Sequence, residues 1–464
     1  MGKNRQKNKR AGGPSFAEAF IKGDIFTKLS APVMGLGCFV RGQIARGVIF
    51  LGFEVLFIWY MITGGFYWIS MLPSLGKVGP SKEYDAFFDT YVTTYNDNSF
   101  KILLYGILTL FLIVAFFYTM GLSVKNAYDL QLKKAQGKKI NKFIDDLKSL
   151  VDENFYKTLL SLPVLGIVCF SFLPIVFMIL IAFTNYDGSH DGYITSLFKW
   201  VGFDNFKTLF SSNGGYFNIF MGILGWTIVW AILATFTNYI LGILVAMMIN
   251  KKGIRLKKLW RTILVMTIAI PQFISLMYVS KMFAKTGIVN GFLLNMHFIT
   301  SPIDFWGTPT LARILVVVLN VWIGIPYMML IATGILMNIP ADLYESARID
   351  GANPFQQFRY ITMPYMLFVT APYLLTNFTG NMNNFNVIYL LTGGGPANPN
   401  ATHVTGGVGY TDLLITWLFK ITQGTESAYY MASVVGIIIF IIVSAFTLLV
   451  YNRLGSNKNE GDFA

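Results

Sequence analysis

The chain has 464 residues, of which 54% are hydrophobic and only 13% charged. Soluble chains of this size carry roughly 25% charged residues, which excludes a water-soluble multidomain enzyme. The net charge of +13 fits either nucleic acid or the basic loops of a membrane protein, and 41 Phe, 24 Tyr and 9 Trp favour lipid-facing helices with aromatic belts.

Eight mostly apolar stretches, at 47–72, 101–124, 159–183, 219–249, 262–284, 311–337, 365–391 and 430–451, are each long enough to cross a bilayer as a helix. The fold class expected is therefore all-α, a polytopic membrane protein with eight transmembrane helices. The basic segment 1–46, beginning with Lys3, Arg5, Lys7, Lys9 and Arg10, reads as a cytoplasmic tail. The stretch after it starts too late and runs too long for a cleaved signal peptide, so an uncleaved anchor is expected. Within that stretch lies Glu54, the one clear acid inside a span, for which pairing with a loop cation is the expected role. Segment 125–158, with eight basic and five acidic residues, reads as a surface helix linking two parts of the chain. The run 251–261 carries Lys251, Lys252, Arg255, Lys257, Lys258 and Arg261 and no acid, as a loop against anionic headgroups does.

Eight spans put both termini on one side. Loops on that side hold 27 Lys and Arg against 6 on the other. By the positive-inside rule the first group is cytoplasmic, so the excess charge orients a membrane protein and no nucleic-acid partner is expected. The two cysteines, Cys38 and Cys169, and the three histidines, His190, His297 and His403, are scattered, so neither a disulfide framework nor a metal site is expected. No G-x-x-x-x-G-K-[ST] loop, H-E-x-x-H or G-x-S-x-G occurs. With neither an ATP-binding loop nor a set of intramembrane acids, energy for active transport has to come from another subunit.

The segment 339–364, between the sixth and seventh stretches, carries the most information. Pro340 stands at a helix start, Leu343, Ala347 and Ile349 give a short amphipathic pattern, and Gly351 permits a sharp turn. Pro354 opens a second short helix and Pro364 the seventh span. Two short helices joined at a glycine between two membrane helices make a knob suited to a groove on a partner. On either side of it, costly amides concentrate inside apolar helices: Asn320, Asn377, Asn381, Asn383 and Asn384. Asn377, Asn381 and Asn384 share one helix face, as do Asn320, Gly324 and Tyr327. Amides, a phenol and aromatic faces suit a neutral sugar, and Gly324 and Gly380 allow close approach. Gly393–Pro396 reads as an ordinary turn or a flexible element at the extracellular mouth.

Glu345-Ser346-Ala347, Gly351 and Ile361-Thr362-Met363-Pro364 resemble the E-A-A-x-x-x-G and I-x-L-P hallmark of permease subunits of ATP-binding-cassette (ABC) importers. Asn320–Met329, Asn381–Phe385, Leu391–Pro396 and Tyr410–Leu414 look like the larger, eight-span subunit of the maltose/maltodextrin type, with the likeness good over about 160–464 and looser before it. The resemblance implies a type I permease fold in the bacterial cell membrane, importing maltose or maltodextrins, with no enzymatic activity or cofactor of its own. Its implied partners are a six-span permease subunit, two cytosolic ATPase subunits that use ATP-Mg, an extracellular or lipid-anchored sugar-binding protein, the oligosaccharide and membrane lipids. ATPase coupling then falls to Tyr344, Glu345, Ser346, Ala347, Asp350, Gly351 and Pro364. Sugar binding falls to Asn320, Ile323, Gly324, Tyr327, Asn377, Gly380, Asn381 and Asn384, with Gly380 standing where the enteric subunit has an aromatic residue. The large insertion of the enteric subunit is replaced by the short loop 184–218. The expected division is tail 1–46, two accessory spans with linker 47–158, core 159–455 and tail 456–464. Alternatives are a permease for another oligosaccharide or related solute, a stand-alone secondary sugar transporter, and a membrane enzyme acting on lipid or glycan.

Overall fold

The computed structural model describes residues 15–94, 96–138, 140–141, 143–190, 197–211, 216–251, 253–423 and 427–453. The basic start 3–10, Lys252 and the tail 456–464 lie outside the described residues. Two compact units make up the chain: Met1–Thr184 with His190–Trp200, and Asn185–Ser189 with Val201–Ala464.

The first unit opens with three short helices, α1 (Phe16–Lys22), α2 (Ile25–Leu29) and α3 (Leu36–Val40). Each of the first two is capped by its sequence: Ser15 accepts from the Glu18 N–H, and Asp24 accepts from the Thr27 N–H at 2.9 Å. Within the expected tail 1–46, residues 16–40 thus fold into helices. Next come α4 (Ile44–Tyr60) and α5 (Phe66–Met71), joined through a widened turn at Met61–Gly65. A hairpin of β1 (Ser81–Asp85) and β2 (Thr90–Thr94), with Tyr84 opposite Tyr91, adds a two-stranded sheet to the expected all-helical pattern. Then follow α6 (Ser99–Ala135), α7 (Phe143–Val151), α8 (Phe155–Ile167) and α9 (Leu173–Ile181). The linker expected at 125–158 is thus the end of α6, a separate helix α7 and the start of α8.

Glu54 is buried, and its carboxylate accepts from the Met34 backbone N–H at 2.7 Å. The expected loop cation is replaced by an unsatisfied donor between α2 and α3, which the carboxylate supplies with an acceptor. The nearby Arg41 serves a different acid, donating to Asp24 at 2.6 Å.

The second unit contains α10 (Asp204–Phe210), α11 (Tyr216–Asn250), α12 (Lys257–Ala269), α13 (Gln272–Met282), α14 (Ile288–Asn295) and α15 (Pro309–Leu336). After them come α16 (Ala341–Ile349), α17 (Pro354–Gln357), α18 (Met363–Met382), α19 (Phe385–Thr392), α20 (Leu414–Ile421) and α21 (Tyr429–Tyr451). Among the described residues, six helical runs are long and apolar enough to span a membrane, or seven with α12 and α13 as one span bent by 92°. The bend falls at Pro271, whose missing N–H ends the helical ladder. The expected stretch 365–391 is instead α18 and α19, interrupted at Asn383–Asn384 and diluted by Pro372 and the amides. Of the eight expected stretches, six are thus continuous helical runs of spanning length and two are broken among the described residues.

Helices α11 and α15 form the spine of this unit. A Cβ on Gly242 would run into Met328, and one on Gly324 into the Asn238 amide, so the glycines set how closely the backbones approach. Around that contact, Tyr239, Ile243, Ala246, Met328, Met329, Ala332 and Met366 form one buried cluster. A second surrounds Trp226, Trp230, Leu276, Val316, Val387 and Ile388. Inside a bilayer, association of such surfaces rests on dispersion and hydrogen bonds, since lipid tails are as apolar as the side chains they replace.

Candidate functional site

The segment expected to couple to a partner starts at Pro340, which caps α16, and the helix ends at Ile349. Gly351 follows with φ of +80°, the left-handed conformation that L side chains adopt rarely, and its N–H donates to the Arg348 carbonyl at 3.1 Å. Asn353 and Gln356 cap α17 reciprocally, side chain to backbone, at 2.8 Å in each direction. Tyr344 and Thr362 share a hydroxyl hydrogen bond of 2.9 Å that ties α16 to the root of α18. Glu345, Ser346 and Asp350 are exposed, and Ala347 is half-buried.

The second short helix of this knob is not a separate body. Residues 354–382 form one helical run, α17 passing through a widened turn at Phe358–Thr362 into α18. There the Met363 N–H donates to the Phe358 carbonyl, five residues back rather than four. Pro364 stands next in line, and the widened turn accommodates its ring and its missing N–H. Leu173-Pro174 after Val168–Phe172 shows the same arrangement, with Leu173 donating to Val168.

At the far end of the run the amides form a chain. The Asn377 amide donates to the Tyr373 hydroxyl at 2.9 Å, and Asn381 donates to the Asn377 amide oxygen at 2.7 Å and to Thr235 at 3.0 Å. Asn384 donates to the Asn381 oxygen at 3.3 Å, while its own oxygen accepts from the Val387 N–H and caps α19. Trp230 donates its indole N–H to the Asn381 carbonyl at 3.1 Å, in the last turn of α18.

Gly324, Tyr327 and Asn377 meet in a cavity of about 80 Å³, lined also by Thr235, Asn238, Tyr239 and Tyr373. That volume has room for a few waters among its polar groups. Ile323 and Tyr327 line a second cavity of about 300 Å³ with Gln272, Ser275 and Trp322, at the bend between α12 and α13. Asn381 and Asn384 join the first group through hydrogen bonds. Asn320 and Gly380 line neither cavity: Asn320 is buried with no hydrogen-bond partner for its amide nitrogen among the described residues, and Gly380 is exposed with open space at its α-carbon. Tyr327 is 54% exposed, its ring 6.4 Å from that of Tyr373.

Sequence reasoning missed Thr235, Asn238, Tyr239 and Tyr373. The signal was available: Thr235, Asn238, Tyr239 and Gly242 fall at i, i+3, i+4 and i+7 on one face of α11.

Gly393–Pro396 is the expected turn, with the Gly395 N–H donating to the Thr392 carbonyl at 3.0 Å, and it is tied further to the segment 409–412. Gly394 accepts from the Thr411 N–H at 3.1 Å and Gly395 from the Thr411 hydroxyl at 2.7 Å. Beneath them lies buried Asp412, bound to Lys420 at 2.6 Å, Thr416 at 2.9 Å and the Gly409 N–H at 2.7 Å. A Cβ on Gly394 would collide with the Asp412 carboxylate, which explains the glycine.

Residues 238–457 match the family described as binding-protein-dependent transport system inner membrane component. The chain is 33% identical over 435 residues to the maltodextrin transport system permease protein MdxF of Bacillus subtilis, covering 92% of this chain and 95% of that one. It is 32% identical over 431 residues to the galactooligosaccharides transport system permease protein GanP of the same organism, covering 92% and 97%. Among solved structures, a bacterial ABC transporter involved in the import of the acidic polysaccharide alginate matches with a TM-score of 0.54 at 21% identity, covering 67% of this chain and 98% of that one.

Proposed function

The chain belongs to the binding-protein-dependent transport system inner membrane components, and from that membership we propose that it forms one of two permease subunits of an ATP-driven importer for maltodextrin-type oligosaccharides. It is a multi-pass membrane protein and a transport subunit. In the proposed assembly a second, six-span permease subunit stands beside it. Two cytosolic ATPase subunits consume ATP-Mg, and an extracellular or lipid-anchored binding protein delivers the sugar. Both termini face the cytoplasm, in keeping with 27 basic residues on that side against 6 on the other.

The observation that carries this reading is the continuous helical run 354–382, which joins the exposed knob to the amide chain. A rigid element reaching from a docking surface to a polar intramembrane cluster transmits displacement as a lever does. In the mechanism, closure of the ATPases moves the knob, with Glu345 entering their cleft and Gly351 holding the bend. The Tyr344–Thr362 bond makes α16 move with the root of α18. The run then tips, and the amides at its far end change the side to which they are exposed.

The substrate face in this chain is incomplete. The cavities beside Tyr327, of about 80 and 300 Å³, are half-sites in this reading, and the second permease subunit supplies the opposing wall. No Lys or Arg lines the two cavities beside Tyr327, which favours a neutral oligosaccharide over an acidic one. The second reading within the class is a galactooligosaccharide, as the name of the GanP relative indicates for that protein.

ATPase stimulation of the complete reconstituted complex by a panel of sugar-loaded binding proteins separates these readings. Maltodextrins are expected to stimulate most, neutral galactooligosaccharides less and alginate oligosaccharides not at all. Stimulation by the acidic sugar alone would overturn the substrate assignment.

A further inference from the structure

Helix α7 presents its faces the opposite way from a helix of a soluble protein. Phe143, Ile144, Leu147, Leu150 and Val151 fall at i, i+1, i+4, i+7 and i+8, an apolar stripe on one face. All five are exposed, Ile144 by 63% and Val151 by 75%. The polar side turns inward: Asp146 forms an ion pair with Arg46 at 2.8 Å, its own side chain only 13% exposed.

Two anchors fix the height of this helix against its neighbours. At its start, the Gln43 amide donates to the Asn141 carbonyl at 3.1 Å, and Arg46 lies in the first turn of α4, where the apolar run of that span begins. At its end, the Thr158 hydroxyl of the first turn of α8 donates to the Leu150 carbonyl at 2.8 Å. Helix α7 is therefore held level with the ends of two spans, where hydrocarbon gives way to headgroups. Lys134, Lys138 and Lys157 flank it in sequence, Lys148 lies in its last turn, and the segment 125–158 is net basic.

We propose that α7 is an in-plane interfacial helix, with its apolar stripe sunk into the cytoplasmic leaflet and its flanking lysines on anionic headgroups. An exposed apolar face, an opposite polar face held by the protein and a basic surround are what such helices require. The helix then braces α4 and α8 against the membrane plane.

The test uses the full chain in its complete complex, with Cys38→Ala and Cys169→Ser as background and a polarity-sensitive fluorophore attached after Leu147→Cys or Ser149→Cys. Vesicles are phosphatidylcholine alone or mixed in equal parts with phosphatidylglycerol, each with and without doxyl-labelled lipid. The label at 147 is expected to emit to the blue and be quenched by doxyl lipid, more strongly with phosphatidylglycerol and less at high salt, while the label at 149 is not quenched by lipid. Leu150→Cys supplies the same readout from a second apolar position should the first variant fold poorly. Quenching of the 147 and 150 labels by aqueous iodide in place of doxyl lipid would overturn the proposal. Protection from both quenchers would also overturn it, because a protein partner would then cover the stripe.

Discussion

Gly351→Val is expected to reduce ATP-coupled sugar uptake by about tenfold or more while the chain still reaches the membrane in normal amount. Apart from its chain neighbours, nothing among the described residues lies within 4 Å of the position a Cβ would take, so the substitution meets no wall there. Its cost is the backbone: φ of +80° is open to glycine, and other L residues lose about 1–2 kcal/mol there, more if β-branched. Relieving that strain means turning α16 away from α17, and a docking error of ~1.4 kcal/mol already corresponds to tenfold. Basal ATP hydrolysis by the complex should persist, because the ATPase sites are elsewhere. Gly351→Asn, which tolerates the left-handed region better, should keep more uptake than Val. Uptake by the Val variant at the parent rate would contradict the coupling role of the bend.

Asn381→Ala is expected to abolish most uptake with a much smaller loss of stability. Asn381 lies in the middle of the amide chain, bonded to Thr235, Asn377 and Asn384. Interhelical hydrogen bonds in membranes average ~0.6 kcal/mol, so losing them costs about 1–2 kcal/mol in all. The functional loss should be larger, since Asn377 and Asn384 lose the partner that orients them. Thermal unfolding in detergent, followed beside transport, separates the two effects. Unchanged uptake and unchanged sugar concentration dependence would place the sugar path away from these amides.

The spacing of Asn377, Asn381 and Asn384 was legible because a helix of 3.6 residues per turn puts them on one face, and the structure bonds them in that order. The bend at Gly351 was legible for a similarly local reason, since a glycine between two capped helices has few other uses. Less legible was the continuity of the run 354–382. Pro364 reads as a boundary, but a widened turn of five residues before it keeps the helix going. The interruption at Asn383–Asn384 was hidden by the same amides that mark the site, because Asn384 is also the cap of α19. Thr235 and Asn238 on α11 escaped notice because a long apolar run surrounds them. Glu54 shows the limit of reading charge alone: its partner is a backbone N–H, and donors of that kind leave no trace in composition.

Uptake of radiolabelled maltotriose into proteoliposomes tests the central claim most directly, comparing this chain alone with the complete complex, with ATP or ADP on the ATPase side. Accumulation is expected only for the complete complex, only with ATP and only when the sugar-loaded binding protein is present. Equal accumulation by the chain alone, without nucleotide, would contradict its assignment as a permease subunit driven by partner ATPases.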